Sequence, residues 1–244
     1  MRDYHLELEA RVRWIRECLE SAGAQGIVLG LSGGKDSALV GALSKLACED
    51  TVGLILPCRS RRSYGQDLED AQAVACAFGL ETRVVDLQPA LDQLEAAART
   101  ATSPTQAALV NMAPRLRMAV LYAVAASENR LVAGTGNRSE IYLGYFTKWG
   151  DGACDFNPIA DLTATEVVEF LRFLGAPASV VEKAPSAGLY DGQTDEGELG
   201  IAYREVDAFL TGGQVSAEER AIIARLHGVS EHKRRLPRMY GDPR

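Results

Sequence analysis

Gly26-Ile-Val-Leu-Gly30-Leu-Ser-Gly-Gly-Lys-Asp-Ser37 is the stretch that decides how this chain folds. A short apolar run rich in branched residues breaks at a glycine turn. Beyond it Leu39, Ala42, Leu43 and Leu46 recur at helical spacing, so the stretch reads strand, tight turn, helix. The backbone N–H groups of such a turn and the positive end of the following helix face the crevice above a sheet, where they attract an anion. Gly30, Leu31, Ser32, Gly33, Gly34, Lys35, Asp36 and Ser37 form the candidate loop. Its glycines permit close backbone approach, Ser32 and Ser37 offer hydroxyls, and Asp36 can hold a cation beside phosphates. Pyrophosphate with magnesium suits it.

Working outward, residues 4–21 carry Leu8, Val12, Ile15 and Leu19 at the spacing of an amphipathic helix. Downstream, Thr51 to Pro57 reads as a strand, Asp67 to Phe78 as a helix stopped by Gly79, and Thr82 to Leu87 as a strand. A long helix near Gln106 to Ser127 and a strand at Arg130 to Ala133 follow. This alternation predicts an α/β fold: a doubly wound, mostly parallel sheet with helices on both faces. Gly134 to Pro158 shows no sustained period and is expected to be a long functional loop. Capping boxes at Thr163–Glu166 and Ser216–Glu219 open two further helices, ended by Gly175 with Pro177 and by Gly228. No repeat or linker divides the sequence, so residues 1–244 are expected to form a single domain.

Composition narrows the function. With 47% hydrophobic and 24% charged residues the chain has the make-up of a soluble globular protein. Its net charge of −7, with basic residues scattered, argues against a nucleic-acid partner. No apolar stretch is long enough to span a membrane or to serve as a signal-peptide core, so no membrane partner and a cytoplasmic location are expected. Cys18, Cys48, Cys58, Cys76 and Cys154 are never close enough in sequence for a Cys-x-x-Cys pair and are expected to be free thiols.

Other motifs overlap the glycine turn. The P-loop pattern fails, because Leu29 occupies its first glycine position and Asp36 follows Lys35. Gly30-Leu-Ser-Gly-Gly34 does satisfy the nucleophile-elbow pattern, with Ser32 as nucleophile and His227 or His232 as the later histidine. A glycine turn with no ligand is the third reading.

Ser32-Gly-Gly-Lys-Asp-Ser37 resembles the Ser-Gly-Gly-x-Asp-Ser loop of the N-type ATP pyrophosphatases, whose adenine nucleotide alpha hydrolase-like fold is the doubly wound one expected above. Gly134-Thr-Gly-Asn-Arg-Ser-Glu140, Gly144-Tyr-Phe-Thr-Lys-Trp-Gly-Asp151 and Asp155-Phe-Asn-Pro-Ile-Ala-Asp-Leu162 look like the NAD synthetases within that superfamily. The likeness runs on through Lys183-Ala-Pro-Ser-Ala-Gly-Leu189, Gly192-Gln-Thr-Asp-Glu196 and His232-Lys-Arg-Arg-Leu-Pro237. The resemblance implies a homodimeric ligase that amidates deamido-NAD to NAD, with ATP and Mg2+, through an adenylated carboxylate. Free ammonia, which a separate glutaminase could deliver, is the implied nitrogen source, because the synthetase-like sequence leaves no room for the amidohydrolase domain of glutamine-dependent relatives.

Residue roles follow the same resemblance. Asp36 and Glu140 match metal ligands, Thr135 and Ser186 match ATP contacts, and Arg115, Lys148, Asp155, His232 and Lys233 match positions that bind deamido-NAD. Asp151 lies where the family places a carboxylate near ammonia and is the candidate proton acceptor, with Asp36 the other catalytic candidate. Locally, Glu140 could instead be a solvated loop carboxylate, Asp151 a turn former and Arg115 a surface arginine. One departure stands out: Ala164 occupies a position where many relatives carry an ATP-binding lysine, which Lys35 could replace. Arg59, Arg61 and Arg62 could contribute charge or simply form a solvated basic loop. Two other function classes stay open, a different adenylating enzyme on the same scaffold and a nucleotide sensor without catalysis.

Overall fold

The computed structural model describes residues 2–183 and 195–241. Helix α1 (Tyr4–Ala22) opens on Asp3, whose carboxylate accepts the N–H groups of His5 and Leu6, and closes on the left-handed Gly23. Strand β1 (Gly26–Gly30) leads into α2 (Lys35–Ala47), then β2 (Thr51–Ile55), a turn of helix α3 (Arg61–Tyr64), α4 (Gln66–Phe78) and β3 (Glu81–Val84). Next come α5 (Gln88–Ala101), α6 (Gln106–Val110), α7 (Met112–Glu128) and β4 (Arg130–Val132). The remainder is helical: α8 (Arg138–Leu143), α9 (Ala164–Phe173), α10 (Ala178–Val181), α11 (Asp195–Leu199), α12 (Tyr203–Leu210), α13 (Ala217–Val229) and α14 (Glu231–Arg234).

All four strands are parallel, in the order β3-β2-β1-β4. The chain therefore builds outward from β1 through β2 to β3 and then returns to the other side of β1. Ligands of doubly wound sheets bind at this reversal, beyond the carboxyl ends of the strands, because the loops there diverge and leave a crevice. Successive strand residues face opposite layers. Ile27 and Leu29 pack with α1, α2, α4 and α9 around Phe170, whereas Val28, Val52 and Leu54 pack beneath α5 and α7. A third cluster, Leu143, Leu199, Ile201, Tyr203, Val206 and Ile223, joins α8 to α11, α12 and α13 and walls one side of the crevice.

Several expectations are corrected. The long helix breaks at Asn111, whose side chain donates to Ala107 O at 2.7 Å and accepts the Thr147 hydroxyl at 2.6 Å. Helix α5 was not foreseen, although its sequence is amphipathic; only Leu91 on it is buried. Within the expected loop 134–158 lies α8, six residues long and too short for periodicity to reveal. Helix α13 continues through Gly228 to Val229. The strands end earlier than the apolar runs suggested, since Leu56 and Leu87 are buried beyond the ladder.

Ion pairs hold α1 and the residue stretch before it against α9 and the segment that precedes α9. Arg11 donates to Asp161 Oδ1 at 2.7 Å and Arg2 to Glu166 Oε1 at 2.8 Å. These pairs are partly exposed, so burial at Phe170 dominates that layer. Phe170→Ala should cost about 3–5 kcal/mol in urea unfolding with little change in the denaturant slope; a loss below about 1 kcal/mol would mean that α9 does not anchor this core.

Candidate functional site

The crevice at the carboxyl ends of β1 and β4 encloses about 1120 Å³. That exceeds the range usual for one small ligand and suits two substrates together. One wall is the glycine turn. Ser37 donates its hydroxyl to Gly34 O at 3.0 Å, Ser32 and Ser37 hydroxyls lie 3.0 Å apart, and Gly34 N–H donates to Ser32 Oγ at 3.2 Å. Gly33 has φ +74°, and a Cβ there would stand 2.2 Å from Asp67 O. Only glycine tolerates both the conformation and the approach. Gly33 itself lies behind the lining, while Gly30, Leu31, Ser32, Gly34 and residues 35–37 face the crevice.

Lys183, which also lines the crevice, fixes this turn. Its ammonium donates to Gly33 O at 3.0 Å, Asp67 Oδ1 at 2.7 Å and Asp70 Oδ2 at 2.6 Å. Burial opposes ionisation of Asp70, but the bonds from Lys183 and Gln66 outweigh it and hold its carboxyl below the usual range.

The opposite wall begins where β4 ends. Asn137 caps α8, its side-chain oxygen accepting Ser139 N–H and Glu140 N–H, while Glu140 Oε2 accepts Asn137 N–H at 3.0 Å. The Asn137 amide also donates to Asp36 Oδ1 at 2.9 Å, so one 3%-exposed residue links the carboxylates of the two walls, its side chain reaching Asp36 and its backbone N–H reaching Glu140. Asp36 and Glu140 are thus brought together from a hundred residues apart in sequence. Burial, partly opposed by Asn137, pushes the Asp36 carboxyl up to about 6; burial and the nearby Asp36 charge push Glu140 well above its ordinary range.

These residues fit magnesium. Among the described residues no cluster of three or more acidic, histidine or cysteine side chains converges on one point. Two hard carboxylates beside an anion loop nevertheless suit this ion, which takes one or two protein carboxylates, substrate phosphates and retained waters.

Asp151 and Thr135 also line the crevice. Asp151 accepts Thr147 N–H at 3.1 Å, so it forms its turn as well as facing the cavity, and burial raises its carboxyl. Lys233 reaches in from α14, donating to Gly144 O and Phe146 O at 2.7 Å each, and burial lowers its ammonium. Lys35 lines the crevice too, its ammonium lowered by burial against the opposing pull of Asp36.

The other predicted positions sit outside the crevice. Arg115 donates to Lys148 O at 3.3 Å and Lys148 to His232 O at 2.5 Å, forming a chain on the exposed rim. Trp149, 51% exposed at φ +62°, stands beside it with the Lys148 ammonium 5.3 Å from its ring. Asp155 accepts Val132 N–H at 2.7 Å and the Tyr122 hydroxyl at 3.3 Å, which ties it to β4 and α7. Ser186 lies outside the described residues. Of the basic loop, Arg62 lines the crevice and donates to Asp67 at 2.9 Å, whereas Arg59 pairs with Glu95.

The nucleophile-elbow alternative finds no geometry. Ser32 bonds within its own loop, and His227 stacks on Tyr142 and bonds Tyr142 O. Sequence reading missed Asn137, Arg117, Asp195 and Tyr203 in the crevice. Asn137 could have been found from its capping box with Glu140, and Asp195 stands in the quoted stretch Gly192–Glu196; Arg117 and Tyr203 carry no local signal.

The family model for NAD synthase matches residues 7–237. This chain belongs to the NAD synthase family. It is 48% identical over 232 residues to the NH(3)-dependent NAD(+) synthetase of Carboxydothermus hydrogenoformans, covering 94% of each chain. Among solved structures it resembles the NMN synthetase from Francisella tularensis at 38% identity and TM-score 0.92, covering 98% of this chain and 99% of that one. It also resembles the NAD+ synthetase from Burkholderia pseudomallei at 33% identity and TM-score 0.79, covering 97% and 92%. The NAD synthase family is therefore a ligase family whose α/β fold this chain shares.

In magnesium-free buffer, Asp36→Asn should stabilise the protein, and the gain should grow as pH rises. The native carboxyl titrates at about 6 against an ordinary 3.8, so between those values the folded state binds the extra proton and stability falls with rising pH. Below about 4 both states are protonated and the advantage vanishes. Melting temperatures of parent and variant from pH 4 to 7 check this; a gain independent of pH would remove carboxylate repulsion as its source.

Proposed function

We propose that this chain amidates the nicotinic acid carboxylate of deamido-NAD with ammonia, driven by cleavage of ATP to AMP and pyrophosphate. The observation that carries the reading is the Asp36–Asn137–Glu140 bridge across the crevice beside the glycine turn. The turn's N–H groups and hydroxyls bind the outer phosphates, with Thr135, Lys35 and, in the segment after Lys183, Ser186 completing the ATP site. Asp36 and Glu140 would hold magnesium, which when bound supplies positive charge where the substrate carboxylate approaches the α-phosphate. That approach sets anion against anion, so positioning and charge neutralisation carry the catalysis.

The carboxylate oxygen attacks the α-phosphorus and pyrophosphate leaves. Ammonia then attacks the acyl carbon and AMP leaves with the bonding pair. Asp151, whose raised carboxyl makes it the better proton acceptor, takes the proton that ammonium must lose. Lys233 binds inside the crevice, and Arg115, Lys148, Asp155 and His232 serve the part of the dinucleotide that extends over the rim. The chain works as one synthetase domain in a cytoplasmic homodimer. No helix among the described residues is long and apolar enough to cross a membrane.

A second reading has a specific observation behind it. The TM-score of 0.92 to an NMN synthetase favours a mononucleotide carboxylate as substrate. Such a substrate ends at its phosphate and has no use for the rim residues. Comparing kcat/KM for deamido-NAD and nicotinic acid mononucleotide decides between the two, and Arg115→Ala should raise KM for the dinucleotide alone.

Sustained pyrophosphate release from ATP should require magnesium, the deamidated nucleotide and ammonium together; no release at all would leave a nucleotide sensor, and continued turnover without ammonium or product amide would leave a different adenylating enzyme. Asp151→Asn should lower ammonia-dependent turnover about 10²–10⁴-fold with little change in KM for ATP, and near-parent turnover would reduce Asp151 to a turn former. Lys35→Ala should raise KM for ATP roughly tenfold or more, the worth of one charge-assisted bond. An unchanged KM removes Lys35 from the phosphate site.

A further inference from the structure

Tyr203 opens α12 and is 6% exposed, yet its hydroxyl has no hydrogen-bond partner among the described residues. It lines the crevice, and beyond its burial the groups that act on it are Glu140, Asp195, Asp36 and Tyr145. A hydroxyl so deep and so close to carboxylates, bonded to none of them, calls for a partner that the protein does not supply. Packing alone would be served equally by phenylalanine.

Asp195 faces the same space. It opens α11, is 4% exposed, and has the Tyr145 hydroxyl 3.2 Å from its Oδ1. Its charge is felt by both Asp36 and Glu140. It does not converge with them on one point, so it is not a third direct ligand. Magnesium retains several waters, and those waters need acceptors beyond the first ring of ligands.

We propose that Tyr203 and Asp195 hold the water shell of the cation bound by Asp36 and Glu140, the phenol oxygen accepting a hydrogen from one water and the Asp195 carboxylate from another. This rests on the reading that Asp36 and Glu140 share one ion. Both residues are then positioning residues: they touch neither nucleotide nor acyl carbon, and they fix how the ion sits between the two walls. They also belong to the helical region that walls one side of the crevice, so the ion couples that region to the sheet.

Manganese is the probe, titrated into the full chain with and without ATP and followed by the paramagnetic resonance of the free ion. Tyr203→Phe and Asp195→Asn should each weaken manganese binding about 10–100-fold while leaving the metal-free melting temperature at or above that of the parent. Parent-like affinity in both variants overturns the proposal, as does weakening seen only together with a lowered metal-free melting temperature. Weakening in one alone removes the other from the shell. Glu140→Gln separates the two levels: if it too binds manganese like the parent, the shared-ion reading fails; if it alone loses the ion, only the outer shell is wrong.

Discussion

One hydrogen bond, from the Asn137 amide to Asp36 Oδ1, joins the two halves of the crevice, and its existence depends on strand order. Because β4 returns to the free side of β1, the loops leaving these neighbouring strands part from each other instead of crossing the same face. The first loop becomes the glycine turn and the second becomes the cap of α8. Asn137 spends both of its polar groups on this junction: the oxygen caps the helix and the amide reaches the other wall. Asparagine is suited to this because aspartate could not donate and serine could not span both partners.

The junction holds charges that repel. Asp36 and Glu140 are buried near each other with Asp195 close by, so in the protein alone their proton affinities rise. A fold retains such strain at a functional site when a ligand relieves it. The pair Asp67 and Asp70 is the instructive contrast. Those carboxylates are also close and shielded, but Lys183 stands between them and the glycine turn, so Asp70 is held ionised. One acidic pair carries its own cation and serves structure. The other has none fixed between its members among the described residues, and it fits an external one.

The sheet, its direction and the position of the anion loop were legible in the sequence because each depends on local pattern: branched apolar runs, glycine at the turn, helical period after it. Asp36 and Glu140 were legible for another reason, the resemblance of their motifs, since nothing local says that residue 140 folds against residue 36. What could not be read was short or three-dimensional. Helix α8 has one turn and a half, α5 buries a single leucine, and the break at Asn111 depends on Thr147, which is distant in sequence. Asp195 and Tyr203 enter the crevice only because the α11–α12 region packs on Leu143, a contact between segments some sixty residues apart.

That packing also explains why the acidic pair alone does not complete the site. The glycine turn and the α8 cap form two walls on the sheet. The helical cluster on α8 forms a further wall and carries Tyr203, while Gly144 at the end of α8 accepts Lys233 through its carbonyl oxygen. Gly144 has φ +69°, and a Cβ there would stand 2.1 Å from Ser230 Cβ, so the helix end and the start of α14 are in direct contact. The same six-residue helix therefore sets Glu140 at its first turn and Lys233 at its last. One short helix thus spaces a carboxylate and an ammonium along the same crevice.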